Sequence, residues 1–169
     1  IMLHDPEVLF GESANKIISD LIFLKDQNIV SKIGVSIYSP DILDNILKLL
    51  DIDIIQAPFN IFDQKILASG WSKKLKERGV EIHTRSVFLQ GLLLMKQNNL
   101  PAYFKNNWPV HFDTWYGFLR DNRIHALEVA LKFALQQDWI DKIVVGVDSV
   151  AQLETLLAIE KSSKSIDFP

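Results

Sequence analysis

The chain has 169 residues, a net charge of −3 and 23% charged residues. This size fits one domain, and the charge balance argues against a protein that binds nucleic acid through a basic surface. The absence of cysteine excludes disulfides, iron–sulfur clusters and thiol catalysis from this chain, and no apolar run reaches the roughly 18 residues that a membrane-spanning helix needs.

Short apolar runs rich in Ile and Val recur along the chain. They predict five strands, at residues 1–3, 33–37, 52–55, 80–82 and 143–147. None of these runs alternates cleanly between polar and apolar residues, which is typical of parallel strands that are covered on both faces.

Helical patterns separate the predicted strands. Apolar residues recur with the spacing of an amphipathic helix at residues 17–22, 43–50, 66–75, 124–134 and 150–157. Ser39-Pro40 marks one helix start, Ser149 with Gln152 has the spacing of a capping box at another, and Gly79 follows a helix as a C-terminal glycine would. This order predicts an α/β fold, either a doubly wound sheet or a (β/α) barrel. No G-x-G-x-x-G follows a strand, which disfavours the nucleotide-binding doubly wound sheet.

Residues 88–122 form a long aromatic stretch between the fourth and fifth predicted strands. The sequence predicts an irregular excursion here, and one of this length is uncommon unless it is functional. Trp108, Trp115 and Tyr116 either line a substrate pocket or pack beneath a lid.

Polar residues stand where the apolar runs stop. In a barrel the carboxyl ends of all strands converge on one mouth, where active sites form. The candidates at these positions are His4, Ser36, Gln56, Arg85 and Gly146.

Five segments together resemble the aldo/keto reductases, a family of NAD(P)H-dependent (β/α)8-barrel oxidoreductases. In order, they resemble the ends of the fourth to eighth barrel strands of that family: LHDP at residues 3–6, KIGVS at 32–36, QAPFN at 56–60, RSVFLQGLL at 85–93, and GVDS at 146–149 with QL at 152–153. The resemblance implies a TIM-barrel-type α/β fold, present only in part, with residues 1–169 as the C-terminal part from about strand 4 to strand 8.

The resemblance implies a parent enzyme that transfers hydride from NAD(P)H to an aldehyde or ketone. It identifies His4 as the catalytic histidine that orients the carbonyl. The Asp, Tyr and Lys of the family's tetrad belong to the first three strands, and no segment of this chain matches them. We therefore expect this chain alone to be inactive. We expect the N-terminal part of the barrel on the same or a second chain, unless the protein is a natural fragment.

The resemblance also assigns residues to the cofactor. Ser36 and Gln56 would bond the nicotinamide carboxamide, although Ile37 replaces the asparagine that the family carries there. Arg85 stands where the family often has an aromatic ring that stacks on nicotinamide. It could stack, meet an anionic substrate or a cofactor phosphate, or form a salt bridge with Glu81 or another acid. The remaining assignments, to the pyrophosphate path and to the start of the last helix, are Ser86, Phe88, Gln90, Gly91, Gly146, Val147, Asp148, Ser149 and Gln152.

The resemblance favours NADP(H) over NAD(H), with no metal. A phosphate fits the start of a helix, but no Lys or Arg lies between residues 146 and 159 to hold the adenosine 2′-phosphate as the family usually does.

Two other classes stay open. One is a non-catalytic cofactor-binding or interaction module on the same fold. The other is a different barrel enzyme acting on phosphosugars, which should carry a clearer basic phosphate site. We expect a small carbonyl compound as the substrate and no nucleic-acid or membrane partner. The absence of cysteine fits a reducing compartment, so we expect a cytoplasmic location.

Overall fold

A single five-stranded parallel sheet forms the centre of the protein, which the computed structural model describes over residues 1–168. The strands are β1 (Met2–Leu3), β2 (Gly34–Ser36), β3 (Ile54–Pro58), β4 (Glu81–Arg85) and β5 (Lys142–Ile143). They lie side by side in chain order, β1-β2-β3-β4-β5. A doubly wound sheet reverses its strand order at a switch point, whereas a barrel does not. The fold is therefore a partial (β/α) barrel, as the sequence predicts.

Eight α-helices connect and cover the strands within residues 1–168. They are α1 (Ala14–Asp26), α2 (Leu43–Leu49), α3 (Lys65–Ala68), α4 (Trp71–Glu77), α5 (Ala102–Asn107), α6 (Pro109–Asn122), α7 (Ala126–Leu135) and α8 (Val150–Lys161). Short 3₁₀ helices lie at Pro6–Phe10, Pro40–Ile42, Leu92–Leu94 and Gln97–Asn99. In this described part of the chain, none of the helices combines the length and apolar character needed to cross a bilayer.

The two faces of the sheet differ in burial. Along β4, Ile82 and Thr84 are fully buried toward the helices. The residues that alternate with them, His83 and Arg85, are half-buried on the opposite face. β3 shows the same alternation. The prediction of strands covered on both faces therefore holds for β2, whose residues are all buried, and is wrong for β3 and β4. In a closed barrel the opposing strands fill the inner face, and this sheet has only five strands.

The main core lies between the outer face of the sheet and the helices. Phe59 is fully buried at the end of β3 and packs against Phe133 of α7 at a ring-centroid distance of 5.2 Å. Trp139 meets the same ring edge-on at 4.9 Å. Because Phe59 also donates its backbone N–H to the carbonyl of Arg85 (3.0 Å), this core fixes the carboxyl ends of β3 and β4 against each other.

An aspartate at the amino end of a strand recurs twice as a structural device. Asp53, just before β3, accepts the N–H of Ile33 (2.8 Å) and pairs with Lys25 of α1. Asp141, just before β5, likewise accepts the N–H of Ile82 (2.7 Å) and pairs with a lysine of α4. Each carboxylate thus joins a helix to two neighbouring strands, at the end of the sheet opposite to the predicted site.

The aromatic stretch at residues 88–122 is more regular than the sequence predicts. It contains α5 and α6, and α6 begins at a proline that occupies its first turn. Phe112, Trp115 and Tyr116, spaced i, i+3 and i+4, are buried on one face of α6. The Trp115 indole donates to the carbonyl of Leu93 (3.2 Å), and burial raises the pKa of Tyr116. Both rings therefore belong to a second core beneath this excursion, whereas Trp108 is exposed.

The helix predicted over residues 66–75 is divided in two. Gly70 adopts φ 75° between α3 and α4, a left-handed conformation that glycine reaches at little cost. Gly79, with φ 72°, ends α4 as predicted: it donates to the carbonyl of Lys76 (3.0 Å), and Val80 donates to that of Leu75 (3.0 Å).

Candidate active site

The residues selected from the sequence lie along the carboxyl edge of the sheet. There most of them border one of three cavities, of ≈ 460, ≈ 510 and ≈ 780 Å³, whereas Ser36, Gln56 and Ser149 line none of the three. For reference we name them the histidine cavity, which His4 borders; the arginine cavity, which Arg85 borders; and the α8 cavity, which lies at the start of α8. Tyr38 borders both the histidine and the arginine cavities, so these two adjoin.

His4 is exposed at the end of β1, in the histidine cavity with Tyr38 and Ser39. The next residue, Asp5, accepts the N–H of Glu7 (3.0 Å) and caps the 3₁₀ helix that begins at Pro6. This cap fixes the chain as it leaves the sheet and leaves the His4 side chain in the cavity wall.

Ser36 and Gln56 meet each other across β2 and β3. Their backbones are direct partners in the sheet, and the buried Ser36 hydroxyl donates to the Gln56 Oε1 atom (3.2 Å). This bond orients the Gln56 amide. Within residues 1–168, the Gln56 nitrogen donates no hydrogen bond, so it is available to a ligand that carries a carbonyl oxygen.

The Arg85 side chain is held by three contacts. It donates to the carbonyl of Ile37 (3.2 Å) and to the Ser86 hydroxyl (3.2 Å), and its guanidinium lies 4.5 Å from the ring centre of Tyr38. The salt bridge with Glu81, one of the alternatives from the sequence, is not formed. Glu81 is four residues earlier in β4 and pairs instead with Lys32 and His83, and the hydrogen bond from Lys32 lowers the pKa of Glu81.

The loop after β4 has an unusual backbone. Ser86, Leu89 and Gln90 all have positive φ, of 60°, 47° and 53°, and Gly91 follows with φ 85°. Positive φ is uncommon outside glycine and clusters at ligand-binding sites. Turns close the segment, with the N–H of Leu89 donating to Ser86 (2.9 Å) and that of Gly91 to Phe88 (2.9 Å).

Asn60 locks this loop to the loop after β3. Its side chain is fully buried and donates to the carbonyl of Ser86 (3.0 Å). Its oxygen accepts the N–H groups of Phe62 and Asp63, both at 2.9 Å. Neither loop can shift without breaking these bonds.

The structure divides the residues predicted for the cofactor path between two cavities. Ser86 and Gln90 border the arginine cavity. The others that line a cavity border the α8 cavity, namely Phe88, Gly91, Gly146, Val147, Asp148 and Gln152. Ser149 does not line it; its hydroxyl accepts the N–H of Gln152 (3.2 Å) and caps α8. The Gln152 side chain in turn accepts the N–H of Asp148 (2.8 Å), one residue before the N-cap residue Ser149 that a capping box would use.

The α8 cavity has features that favour a phosphate group and one that opposes it. A Cβ built on Gly146 would meet no atom within 4 Å, so the backbone there is open to a ligand. The N-terminus of the twelve-residue α8 forms part of the wall. Backbone N–H groups and the helix dipole favour negative charge at such a position, whereas Asp148 in the same wall opposes it.

Two side chains that line this cavity, one cationic and one titratable, are not among the site residues predicted from the sequence. Lys96, in the excursion after β4, and His125, at the N-cap of α7, both line the α8 cavity. Sequence position carries no signal for them, because only the folded path of residues 88–126 brings them to α8. Among the described residues, no group of three or more His, Cys, Asp or Glu could hold a metal ion.

Comparison with known proteins agrees with the geometry. Residues 1–167 match the aldo/keto reductase family. A search of curated protein sequences found no match to this chain.

Solved structures show the same fold. The chain superposes on the aldo-keto reductase AKR11C1 from Bacillus halodurans in its holo form with a TM-score of 0.71 and 20% identity, over 98% of this chain and 56% of that one. For the thermostable aldo-keto reductase Tm1743, in complex with the inhibitor epalrestat, the TM-score is 0.69 and the identity 17%, over 97% of this chain and 54% of that one. For the glycerol dehydrogenase AKR11B4 from Gluconobacter oxydans, the TM-score is 0.56 and the identity 17%, over 100% of this chain and 61% of that one.

These observations define a partial (β/α) barrel with its candidate site at the carboxyl edge of the sheet. The chain belongs to the aldo/keto reductase family, as its sequence motifs suggest. It spans between 54% and 61% of the length of the three solved structures.

Proposed function

We propose that this chain carries the cofactor-binding part of a carbonyl reductase that uses NAD(P)H. The observation that supports the proposal most strongly is the α8 cavity. Six of the residues selected from the sequence line it, from two segments more than 50 positions apart, and its volume is ≈ 780 Å³. A pocket of several hundred Å³ is of the size that small-molecule and cofactor sites have.

The residues along the edge suit the parts of a nicotinamide dinucleotide. Gln56 offers a free amide nitrogen for the carboxamide, and the buried Ser36 hydroxyl would act by orienting that amide. The open backbone at Gly146 and the start of α8 suit phosphate groups. When bound, the cofactor supplies the hydride for reduction of the carbonyl carbon.

His4 would act on the substrate side. Its ring lies in the histidine cavity, at the far end of the edge from α8, and can donate a hydrogen bond that orients a carbonyl oxygen. Protonation of the product alkoxide needs an acid. In the family this acid is provided by the Asp, Tyr and Lys of the first three strands, and no segment of this chain matches them. We expect no turnover from this chain alone.

The proposal therefore requires the first part of the barrel, from the same or a second chain. An exposed apolar side chain just after β5 supports this. Val144 is 44% exposed, although it lies beside the sheet that the family closes into a barrel. Opposing strands would cover this side chain and the partly buried inner face.

Of the two cofactors, we propose NADP(H). The family preference supports NADP(H). Residues 146–159 contain no Lys or Arg to bind the additional phosphate, but Lys96 and His125 in the wall of the α8 cavity offer side chains for it. A small carbonyl compound is the proposed substrate, and a cytoplasmic location stays a prediction.

Titration of the protein with NADPH, followed by nicotinamide fluorescence, tests the proposal. Gln56→Ala removes the amide that faces the carboxamide, and we expect at least a 10-fold weaker affinity, which corresponds to about 1.4 kcal/mol. The matched control is Gln27→Ala, an exposed glutamine after α1, which should leave the affinity unchanged.

Equal affinities of the wild type and Gln56→Ala would remove Gln56 from the site. Tight binding of NADPH without turnover by the complete barrel, with every tetrad position filled, would favour the non-catalytic cofactor-binding module instead.

A further inference from the structure

The arginine cavity contains a fixed cation without a counter-charge. In the described part of the chain, no carboxylate pairs with Arg85, and its buried Nε atom has no hydrogen-bond partner. A guanidinium has five N–H groups, and Arg85 uses two of them, for Ile37 and Ser86. A partly buried charge usually has a partner, because an unpaired charge away from water is costly.

The side chain is held in place in advance. The two hydrogen bonds and the stacking on Tyr38 fix the plane of the guanidinium, so little rotamer freedom is lost when a ligand binds. Tyr38 also occupies one face of that plane at 4.5 Å. Because the Nε atom is buried, the two unused Nη N–H groups are the part of the guanidinium best suited to a ligand.

The charge of the cavity favours an anion. Its charged residues are Arg85, Lys65 and Asp63. Asp63 pairs with Lys65 at 3.5 Å, so the positive charge of Arg85 is left uncompensated among the described residues. Leu92 and Phe104 supply an apolar part of the same wall, which suits a ligand with both an anionic group and an apolar body.

We propose that Arg85 binds an oxyanion group, a carboxylate or a phosphate, in the arginine cavity. The planar guanidinium forms paired hydrogen bonds with either group. The preferred source is the substrate, which makes this protein selective for carbonyl compounds that carry a carboxylate, such as 2-oxo acids. This substrate class rests on the proposed reductase function, whereas the oxyanion site itself does not.

Calorimetric titration tests the site without any turnover. The probe is phenylglyoxylate, a 2-oxo acid with an aromatic body, and its comparison is the neutral methyl ester. We expect the acid to bind at least 10-fold more tightly than the ester. Arg85→Met should weaken binding of the acid by at least 10-fold. Arg85→Lys should give an intermediate loss, because it keeps the charge but not the paired geometry.

Arg78→Met is the matched control. Arg78 is an exposed arginine that ends α4, at the amino end of the sheet, and its replacement should leave the affinity for phenylglyoxylate unchanged. Circular dichroism and thermal unfolding establish that each variant is folded. Should Arg85→Met fail to fold, Tyr38→Leu retains the charge, loses the stacking, and should weaken binding of the acid several-fold.

A parallel titration with NADPH identifies the source of the oxyanion. If Arg85→Met weakens NADPH by at least 10-fold and the wild type does not distinguish acid from ester, the site stands and its ligand is a cofactor phosphate. Binding of the acid without any binding of NADPH would support the site and contradict the reductase. Unchanged affinities of Arg85→Met for both the acid and NADPH would overturn the proposal.

Discussion

Replacement of Asn60 by alanine should destabilise the protein and loosen the two loops that border the arginine cavity. The amide makes three hydrogen bonds, to the carbonyl of Ser86 and from the N–H groups of Phe62 and Asp63, and it is fully buried. Each such bond contributes about 1 kcal/mol net, so Asn60→Ala should lower the free energy of unfolding by about 3 kcal/mol.

For a chain of this size, about 3 kcal/mol corresponds to a fall in Tm of roughly 6–12 °C. Urea and thermal unfolding followed by circular dichroism measure both quantities. Asn106→Ala is the matched control, because this asparagine of α5 is exposed and makes no side-chain hydrogen bond within residues 1–168. A loss below about 1 kcal/mol for Asn60→Ala would refute the role of this side chain as the link between the loops.

Three further predictions concern stability. Burial raises the pKa of Asp141, but the hydrogen bonds from a lysine of α4 and from the Ile82 N–H lower it, together with nearby positive charge, and the net pKa lies below the ordinary value of 3.8. The stabilisation by this carboxylate is therefore present above pH 3.8 and is lost as the pH falls through the lowered pKa. Urea titrations between about pH 7 and about pH 2 should therefore show the difference between wild type and Asp141→Asn shrinking toward acid; a constant difference would contradict this. Ser149→Ala removes the cap of α8 and should lower the free energy of unfolding by about 1 kcal/mol, with no change in urea midpoint as the contrary result. Gly117→Ala lies inside α6 with no atom closer than 3.9 Å to its Cβ and should raise Tm, since alanine is favoured over glycine in a helix by about 1 kcal/mol; a lower Tm would show a steric conflict.

The strand order and the helix ends could be read from the sequence because they depend on local chemistry. Gly79 ends its helix, and the Ser149 hydroxyl caps the last one, as predicted. The aromatic excursion was misjudged, although Phe112, Trp115 and Tyr116 have helical spacing. Its length suggested a loop more strongly than its periodicity suggested a helix.

The site was predictable only in part, for a physical reason. The motif residues at the strand ends fall where barrel geometry brings strands together, so Ser36 and Gln56 meet as neighbours. The partners of Arg85 depend instead on the paths of three loops. No spacing in the sequence predicts that Tyr38 lies beneath the guanidinium of Arg85 or that Lys96 reaches the wall of the α8 cavity.

We propose that this chain binds a nicotinamide dinucleotide along the carboxyl edge of its sheet. Amide chemical-shift mapping by NMR, with NADPH added to the isotope-labelled protein, tests it residue by residue. The largest shifts should fall on residues 86–91 and 146–149, with little change at Asp53 and Asp141 at the opposite end. No shifts, or shifts confined to the amino end of the strands, would contradict the claim.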